Sequence, residues 1–265
     1  MSLRSGQKVL RVENITVKFS GLVAVDDLNM EVENNVIHSL IGPNGAGKTT
    51  VFNVISGLVR HSGSVLVDNT DITKVPSYKR VNYGLGRSFQ NVIIFKYLTV
   101  LQNLMLGFHR NLNYGIGDEV FQTNKYEKYE RSAMLKAIDV ADVVGIKNML
   151  GLLAGNLPYG YQKLIDVARA LMSEPKILLL DEPAAGLTEK ESDILKERIK
   201  RIRENSITIF LIEHDMRMVM DISDKITVLN FGKKIAEGCP DEVVKDPEVV
   251  RAYLGSGIEE VMDNG

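Results

Sequence analysis

Residues 36–58, VIHSLIGPNGAGKTTVFNVISGL, constrain the fold more than any other stretch of the chain. Residues 36–41 form an apolar run short enough for a buried strand. Gly42-Pro43-Asn44-Gly45-Ala46-Gly47-Lys48-Thr49 follows and fits G-x-x-x-x-G-K-[ST]. Val51, Phe52, Val54, Ile55 and Leu58 then recur at helical spacing, with Gly57 near the stop. Strand, glycine-rich loop and helix in that order predict a P-loop. Its glycines let the backbone wrap a phosphate, and the helix N-terminus adds partial positive charge. Lys48 is placed to reach the β- and γ-phosphates and the Thr49 hydroxyl to ligate Mg²⁺. A chance match in a chain of this size is on the order of one in a hundred, and the flanking elements lower it further.

The remaining totals exclude several classes. The length of 265 residues allows one large domain or two small ones. A net charge of −2 supplies no bulk field toward nucleic acid or an acidic membrane surface. Cys239 is the single cysteine, so no internal disulfide forms. The N-terminus MSLRSGQKVL has neither a long apolar core nor a cleavage site, and no signal peptide is expected. The most apolar stretch, residues 92–108, carries Lys96, Gln102 and Asn103, so no membrane-spanning segment is expected either.

Along the chain, strands alternate with helices. Residues 9–19 predict two short strands or one bent at Glu13-Asn14, and a second alternating run spans 23–32. A strand at 63–67 ends in an Asp68-Asn69 turn, and a short helix is expected over 76–81. From residue 92 the pattern turns helical: Val100, Leu101, Leu104, Met105 and Phe108 share a face, as do Ala137, Ile138, Ala141 and Val144. LPYGYQ at 157–162 opens a helix over 163–172. Residues 177–180 and 207–212 are apolar on both faces, the mark of interior strands in a parallel sheet. The helix over 190–203 interleaves Lys196, Arg198, Lys200, Arg201 and Arg203 with glutamates, which reads as a solvated face. A hairpin over 226–236 and a helix pair over 241–254 close the chain. The prediction is an α/β fold: a P-loop core with a mostly parallel sheet, an N-terminal antiparallel β part and a helical insertion.

In such sheets ligands sit at the carboxyl ends of strands, so Lys48, Asp181 and His214 are expected to converge. Asp181 ends an apolar strand and is suited to hold Mg²⁺ beside Thr49. Glu182 is placed to orient or deprotonate a water in line with the γ-phosphate. His214, after the next core strand, is expected to contact the γ-phosphate, whereas His38, His61 and His109 read as structural. Gln90, after the strand-like residues 86–89, is a weaker candidate on its own.

Taken together these motifs resemble, in content and order, the ATP-binding subunit of an ABC transporter, over about residues 9–254. The resemblance divides the chain into a core (9–91 and 174–254) and a helical subdomain (92–173) that carries the signature segment. It implies that Phe19 stacks on adenine and that the loop Gly42, Pro43, Asn44, Gly45, Ala46, Gly47, Lys48, Thr49 and Thr50 holds the phosphates. It implies that Thr49, Gln90 and Asp181 surround Mg²⁺, that Glu182 is the catalytic base and that His214 reads the γ-phosphate. Tyr159, Gly160, Tyr161 and Gln162 stand where the family has its LSGGQ signature, which meets the nucleotide of a second ATPase subunit in a head-to-tail dimer. Pro158 replaces the signature serine, so that contact would come from backbone N–H groups near Gly160. The D-loop also departs from the family, reading Ala185-Gly186-Leu187-Thr188.

GLGRSFQN, LTVLQNLMLG, LPYGYQ, DEPAAGL, IEHDMRMVMDISDKITVLNFGKKIAEG and PEVVRAYLG narrow the likeness to the ATPases of branched-chain amino-acid importers. Such subunits work peripherally on the cytoplasmic face of the membrane. They act with transmembrane permeases and, indirectly, a substrate-binding protein, and without nucleic acid. Related branches serve urea uptake and lipopolysaccharide export. A soluble module acting on ribosomes or nucleic acid, and a small-molecule kinase, fit the single P-loop and the joint presence of LPYGYQ and His214 less well.

Overall fold

The computed structural model describes residues 7–88, 92–111, 115, 118–119 and 121–254, so Gln90 lies outside the described residues. The N-terminal alternation forms β1 (Lys8–Phe19) and β2 (Leu22–Glu33), paired antiparallel. The register shifts between Val12 and Ile15, and Asn14 sits at φ 51°. The interruption at Glu13-Asn14 is therefore a bulge in one bent strand. β3 (Ile37–Ile41) leads through the glycine loop into α1 (Lys48–Ile55). β4 (Ser62–Val67) and β5 (Thr70–Asp71) flank the turn at Asp68-Asn69, whose φ values of 50° and 63° suit a tight hairpin. The short helix expected over 76–81 is a 3₁₀ helix, Ser77–Tyr83. Its Arg80 is buried and donates to the carbonyls of Val54 (2.9 Å) and Ile55 (2.6 Å). That guanidinium satisfies the C-terminal end of α1, which has no basic residue of its own in its last turn.

β6 (Leu85–Arg87) is followed by α2 (Val100–Met105), α3 (Asn124–Val144) and α4 (Tyr159–Leu171). Helix α3 begins before the apolar stripe that announced it, with Thr123 at its N-cap. Its first turns are largely solvated and so have little apolar periodicity; Tyr129 reaches inward, 5.4 Å from the Phe108 ring. Helix α4 likewise begins earlier than residue 163. Pro158, at φ −51° and extended ψ, occupies the N-cap, and the first signature residues form the opening turn. Then come β7 (Ile177–Asp181), α5 (Glu189–Glu204), β8 (Thr208–Ile212), α6 (Met216–Ile222), β9 (Lys225–Asn230), β10 (Lys233–Gly238), α7 (Pro240–Val243) and α8 (Pro247–Leu254). Helix α5 buries Leu195, Ile199 and Ile202 and pairs its cations outward: Lys196 with Asp193 (2.7 Å) and Asp221 (3.1 Å), Arg201 with Asp142 (3.1 Å). This is the solvated face expected of it.

The strands form a four-stranded sheet, β2-β1-β4-β5, and a six-stranded sheet, β10-β9-β3-β8-β7-β6, parallel except at β10. Successive side chains of an interior strand point to opposite faces. Leu178, Leu180, Ile209 and Leu211 pack under α2–α5, while Ile177, Leu179, Phe210 and Ile212 pack against α1 and the four-stranded sheet. This is why β7 and β8 read as continuous apolar runs. A third cluster seats Val243 and Val249 of the terminal helices on Ile226 and Val228 of β9. Among the described residues no helix is long and apolar enough to cross a membrane.

Candidate active site

The glycine loop leaves β3 at Gly42, φ 150°, where a Cβ would lie 2.1 Å from the carbonyl oxygen of Leu229. Only glycine fits there, because β9 runs alongside. Ala46 N–H donates back to the Pro43 carbonyl at 3.1 Å and closes the loop. Lys48 Nζ donates to the carbonyls of Gly42 (2.7 Å) and Pro43 (3.0 Å). Burial pulls the Lys48 pKa below its ordinary value, and the Glu182 charge opposes that pull. No side chain caps the N-terminus of α1, and its first turn carries no acidic residue. Its free N–H groups and positive dipole end are therefore left for a phosphate. Asn44, Gly45 and Thr49 are exposed, and Pro43, Gly47 and Thr50 half-buried. Phe19 stands at the end of β1 and is 47% exposed, enough for its ring to take a stacking partner. The carbonyl of Ala24, on the next strand, would lie 2.5 Å from a Cβ on Gly47, so this hairpin borders the loop.

Asp181 and Glu182 end β7 beside the loop. Asp181 is nearly buried and pairs with Arg87 of β6 at 3.1 Å. Burial raises its carboxyl above the ordinary value, and the Arg87 guanidinium works against that rise. Arg87 also donates to Asn53 Oδ1 (3.0 Å) of α1 and to Oγ of its C-cap Ser56 (2.8 Å), so one guanidinium joins the carboxylate to the phosphate-side helix. Glu182 has φ 46°, a left-handed conformation uncommon outside glycine, asparagine and aspartate. Its N–H donates to the Ile212 carbonyl at 2.9 Å. His214, after β8, places Nδ1 3.8 Å from Glu182 Oε2 and 3.8 Å from Glu213 Oε2. Lys48, Glu182 and His214 thus come together from the ends of β3, β7 and β8, strands that lie side by side. Hard oxygen donors, the Thr49 hydroxyl and the Asp181 carboxylate, suit Mg²⁺.

A family model described as ABC transporter matches residues 25–185. The chain belongs to the ABC transporter family. A second model, described as branched-chain amino acid ATP-binding cassette transporter, matches residues 233–259. The chain is 43% identical to the high-affinity branched-chain amino acid transport ATP-binding protein BraF of Pseudomonas aeruginosa, over 93% of this chain and 98% of that protein. It is 39% identical to LivG of Escherichia coli, of the same description, over 94% and 98%. A nucleotide-free ATP-binding cassette from an ABC transporter superposes with a TM-score of 0.79 at 31% identity, covering 93% of this chain and 99% of that one. The chain is an ABC transporter ATPase subunit of the branched-chain amino-acid branch, with the cassette fold its sequence announced.

The cassette's signature segment divides. Tyr159 is 44% exposed at the start of α4. Gly160 passes so close to Glu191 that a Cβ would lie 2.8 Å from Oε1. Tyr161 packs on the helical core, and the Gln162 amide donates to the Leu157 carbonyl at 2.8 Å, so these two are occupied within their own chain. His38 is buried and bonded to Thr227 Oγ1 at 2.8 Å, and His61 Nδ1 lies 3.1 Å from the Val59 carbonyl, both in structural settings. The side chain of His109 lies outside the described residues. Sequence reasoning missed Arg87 and Glu213, although both stood in plain view within GLGRSFQN and IEHD.

Proposed function

We propose that this subunit drives import of branched-chain amino acids by binding and hydrolysing Mg-ATP between two ATPase subunits arranged head to tail. The observation that carries the reading is the convergence of Lys48, Glu182 and His214 beside an uncapped helix N-terminus. Lys48 exchanges its loop carbonyls for the β- and γ-phosphates, and the N–H groups of Gly45 and of Gly47 to Thr50 line the same anion, the Ala46 N–H being held by the Pro43 carbonyl. Phe19 stacks on the adenine. Thr49 and Asp181, with Gln90, would hold Mg²⁺, which when bound would supply positive charge against the phosphates. Glu182 accepts the proton of a water whose oxygen attacks the γ-phosphorus; the bond to the β-bridging oxygen breaks and ADP departs. His214 donates to a γ-phosphate oxygen and holds it in line. Tyr159, at the start of α4, covers the γ-phosphate held by the partner subunit; of the backbone donors expected there in place of the hydroxyl that Pro158 lacks, the Tyr161 and Gln162 N–H groups are taken by the Pro158 carbonyl (3.0 and 3.2 Å) and the Gly160 N–H by Glu191.

The work is delivered to a transmembrane permease at the cytoplasmic face of the membrane, where this subunit docks peripherally. A substrate-binding protein acts on the far side and nucleic acid has no part. A cleft of about 420 Å³ beside β6 and α4, lined by Leu58, Tyr78, Val81, Leu106 and Arg169, supports that docking. Leu58 and Tyr78 are among its exposed apolar residues. The test is to purify the Glu182→Gln subunit from native membranes with Mg-ATP in mild detergent and identify what accompanies it. A multi-helix permease and a second ATPase subunit are expected. Recovery only in the soluble fraction, with ribosomes or nucleic acid, rejects the transport assignment.

A further inference from the structure

Lys163 and Glu213 are charged, almost fully buried, and have no part in the reading above. Lys163, on α4, sends Nζ to the main-chain carbonyl of Glu182 at 3.2 Å. The ring of Tyr159, one turn earlier, lies 5.6 Å from the same ammonium. A buried lysine placed only for stability is expected to pair with a carboxylate at hydrogen-bond distance. The nearby Asp166 instead pairs with Arg169 at 2.6 Å, and the lysine's donor goes to a carbonyl at the end of β7. Glu213 takes the other end of the same turn. Its Oε1 accepts the Ala184 N–H at 2.7 Å, and its Oε2 accepts the His214 N–H at 3.2 Å.

The segment between these contacts, Glu182-Pro183-Ala184, needs holding. Glu182 carries left-handed φ, a conformation that is unfavourable for a residue with a Cβ. Pro183 has no N–H with which to anchor the middle. The Glu182 carbonyl also accepts the Ala185 N–H at 3.1 Å, so Lys163 adds a second donor to one oxygen. Glu213 additionally joins this turn to the one that presents His214.

We propose that Lys163 and Glu213 are positioning residues that clamp the Glu182–Ala184 turn from its two ends and thereby aim the Glu182 carboxylate at the attacking water. The clamp rests on the reading of Glu182 as the base. It connects the signature helix α4 to the hydrolytic site of the same chain. Tyr159, at the surface where a second subunit closes, lies over the ammonium that grips Glu182.

The test uses the full chain and four variants: Lys163→Met, Lys163→Arg, Glu213→Gln and Glu182→Gln. Each is measured for ATP hydrolysis, ATP affinity and hydrogen exchange at the Ala184 amide. Lys163→Met and Glu213→Gln are expected to lower kcat roughly 10- to 100-fold, as displacement of a catalytic group does. ATP affinity should stay within about threefold of the parent, and Ala184 should exchange faster. Lys163→Arg keeps the donor and should recover most of kcat. Parental kcat in both Lys163→Met and Glu213→Gln overturns the clamp, as does a joint loss of kcat and ATP affinity with unchanged exchange at Ala184. Near-normal turnover in Glu182→Gln rejects the base itself. An inactive Glu182→Gln with unaffected clamp variants rejects only the clamp.

Discussion

Lys48 donates to the carbonyl oxygen of Gly42 at 2.7 Å, closing the loop that delivers it with its own cation. The contact works because Gly42 faces the β9 backbone with no side chain between, so its carbonyl turns into the loop. The buried ammonium therefore has acceptors without a phosphate, and on the proposed reading nucleotide entry would exchange two carbonyls for anionic oxygens. Hydrogen bonds to charged partners are stronger than those to neutral carbonyls, and this difference favours binding.

Lys48→Ala is expected to weaken ATP binding by roughly 10- to 150-fold, the loss of about 1.5–3 kcal/mol for a charge-assisted hydrogen bond. Nucleotide titration by calorimetry measures it. Affinity within a factor of about three of the parent would show that the loop backbone alone holds the phosphates.

Glu182→Gln keeps the shape of the side chain and removes its basicity. Hydrolysis should fall roughly 10²- to 10⁴-fold while ATP still binds. A single-turnover assay separates the two effects, and near-normal turnover rejects the assignment of the base.

Arg87→Met removes the partner of a nearly buried carboxylate. Breaking such a pair costs about 3–5 kcal/mol when the charge left behind stays ionised. The Asp181 carboxyl already lies above its ordinary value, and loss of Arg87 moves it further up. A raised carboxyl pKa means the folded state takes up the proton first as pH falls. The deficit relative to the parent should therefore be full at neutral pH and shrink as Asp181 protonates. Urea unfolding of parent and variant at two pH values tests this; a gap independent of pH would place the loss elsewhere.

His38 is buried against Phe210 with its pKa pushed down to about 3 by desolvation. The unfolded chain binds a proton near the ordinary 6.5 and the folded chain does not, so stability is lost as pH falls from 6.5 toward 3 and is fully present above. Between pH 7 and 5 this one group should remove about 2 kcal/mol. His38→Gln, which retains a polar partner for Thr227, should lose that much less over the same interval in denaturant unfolding. Identical slopes would show that His38 is protonated without penalty.

Most of the candidate site could be assembled from the sequence because contiguous residues create it. The G-x-x-x-x-G-K-[ST] pattern between strand and helix carries the features of a phosphate site in its own local sequence. Asp181, Glu182 and His214 could be placed because each follows a strand apolar enough to lie inside a parallel sheet. The interruption at Glu13-Asn14 was legible too, but the early starts of α3 and α4 were not. Those starts depend on caps and solvated turns, which leave little apolar periodicity to read.

The chain itself therefore determined the nucleotide chemistry, the alternating fold and the order of its motifs, since each rests on short-range spacing. The supports of the site were decided by tertiary structure alone. Arg87 reaches Asp181 across 94 residues, Glu213 reaches Ala184 across 29, and Lys163 reaches Glu182 across 19. A buried charge finds its partner through the strand order of the sheet and the helix laid over it, and no local pattern of residues encodes that pairing.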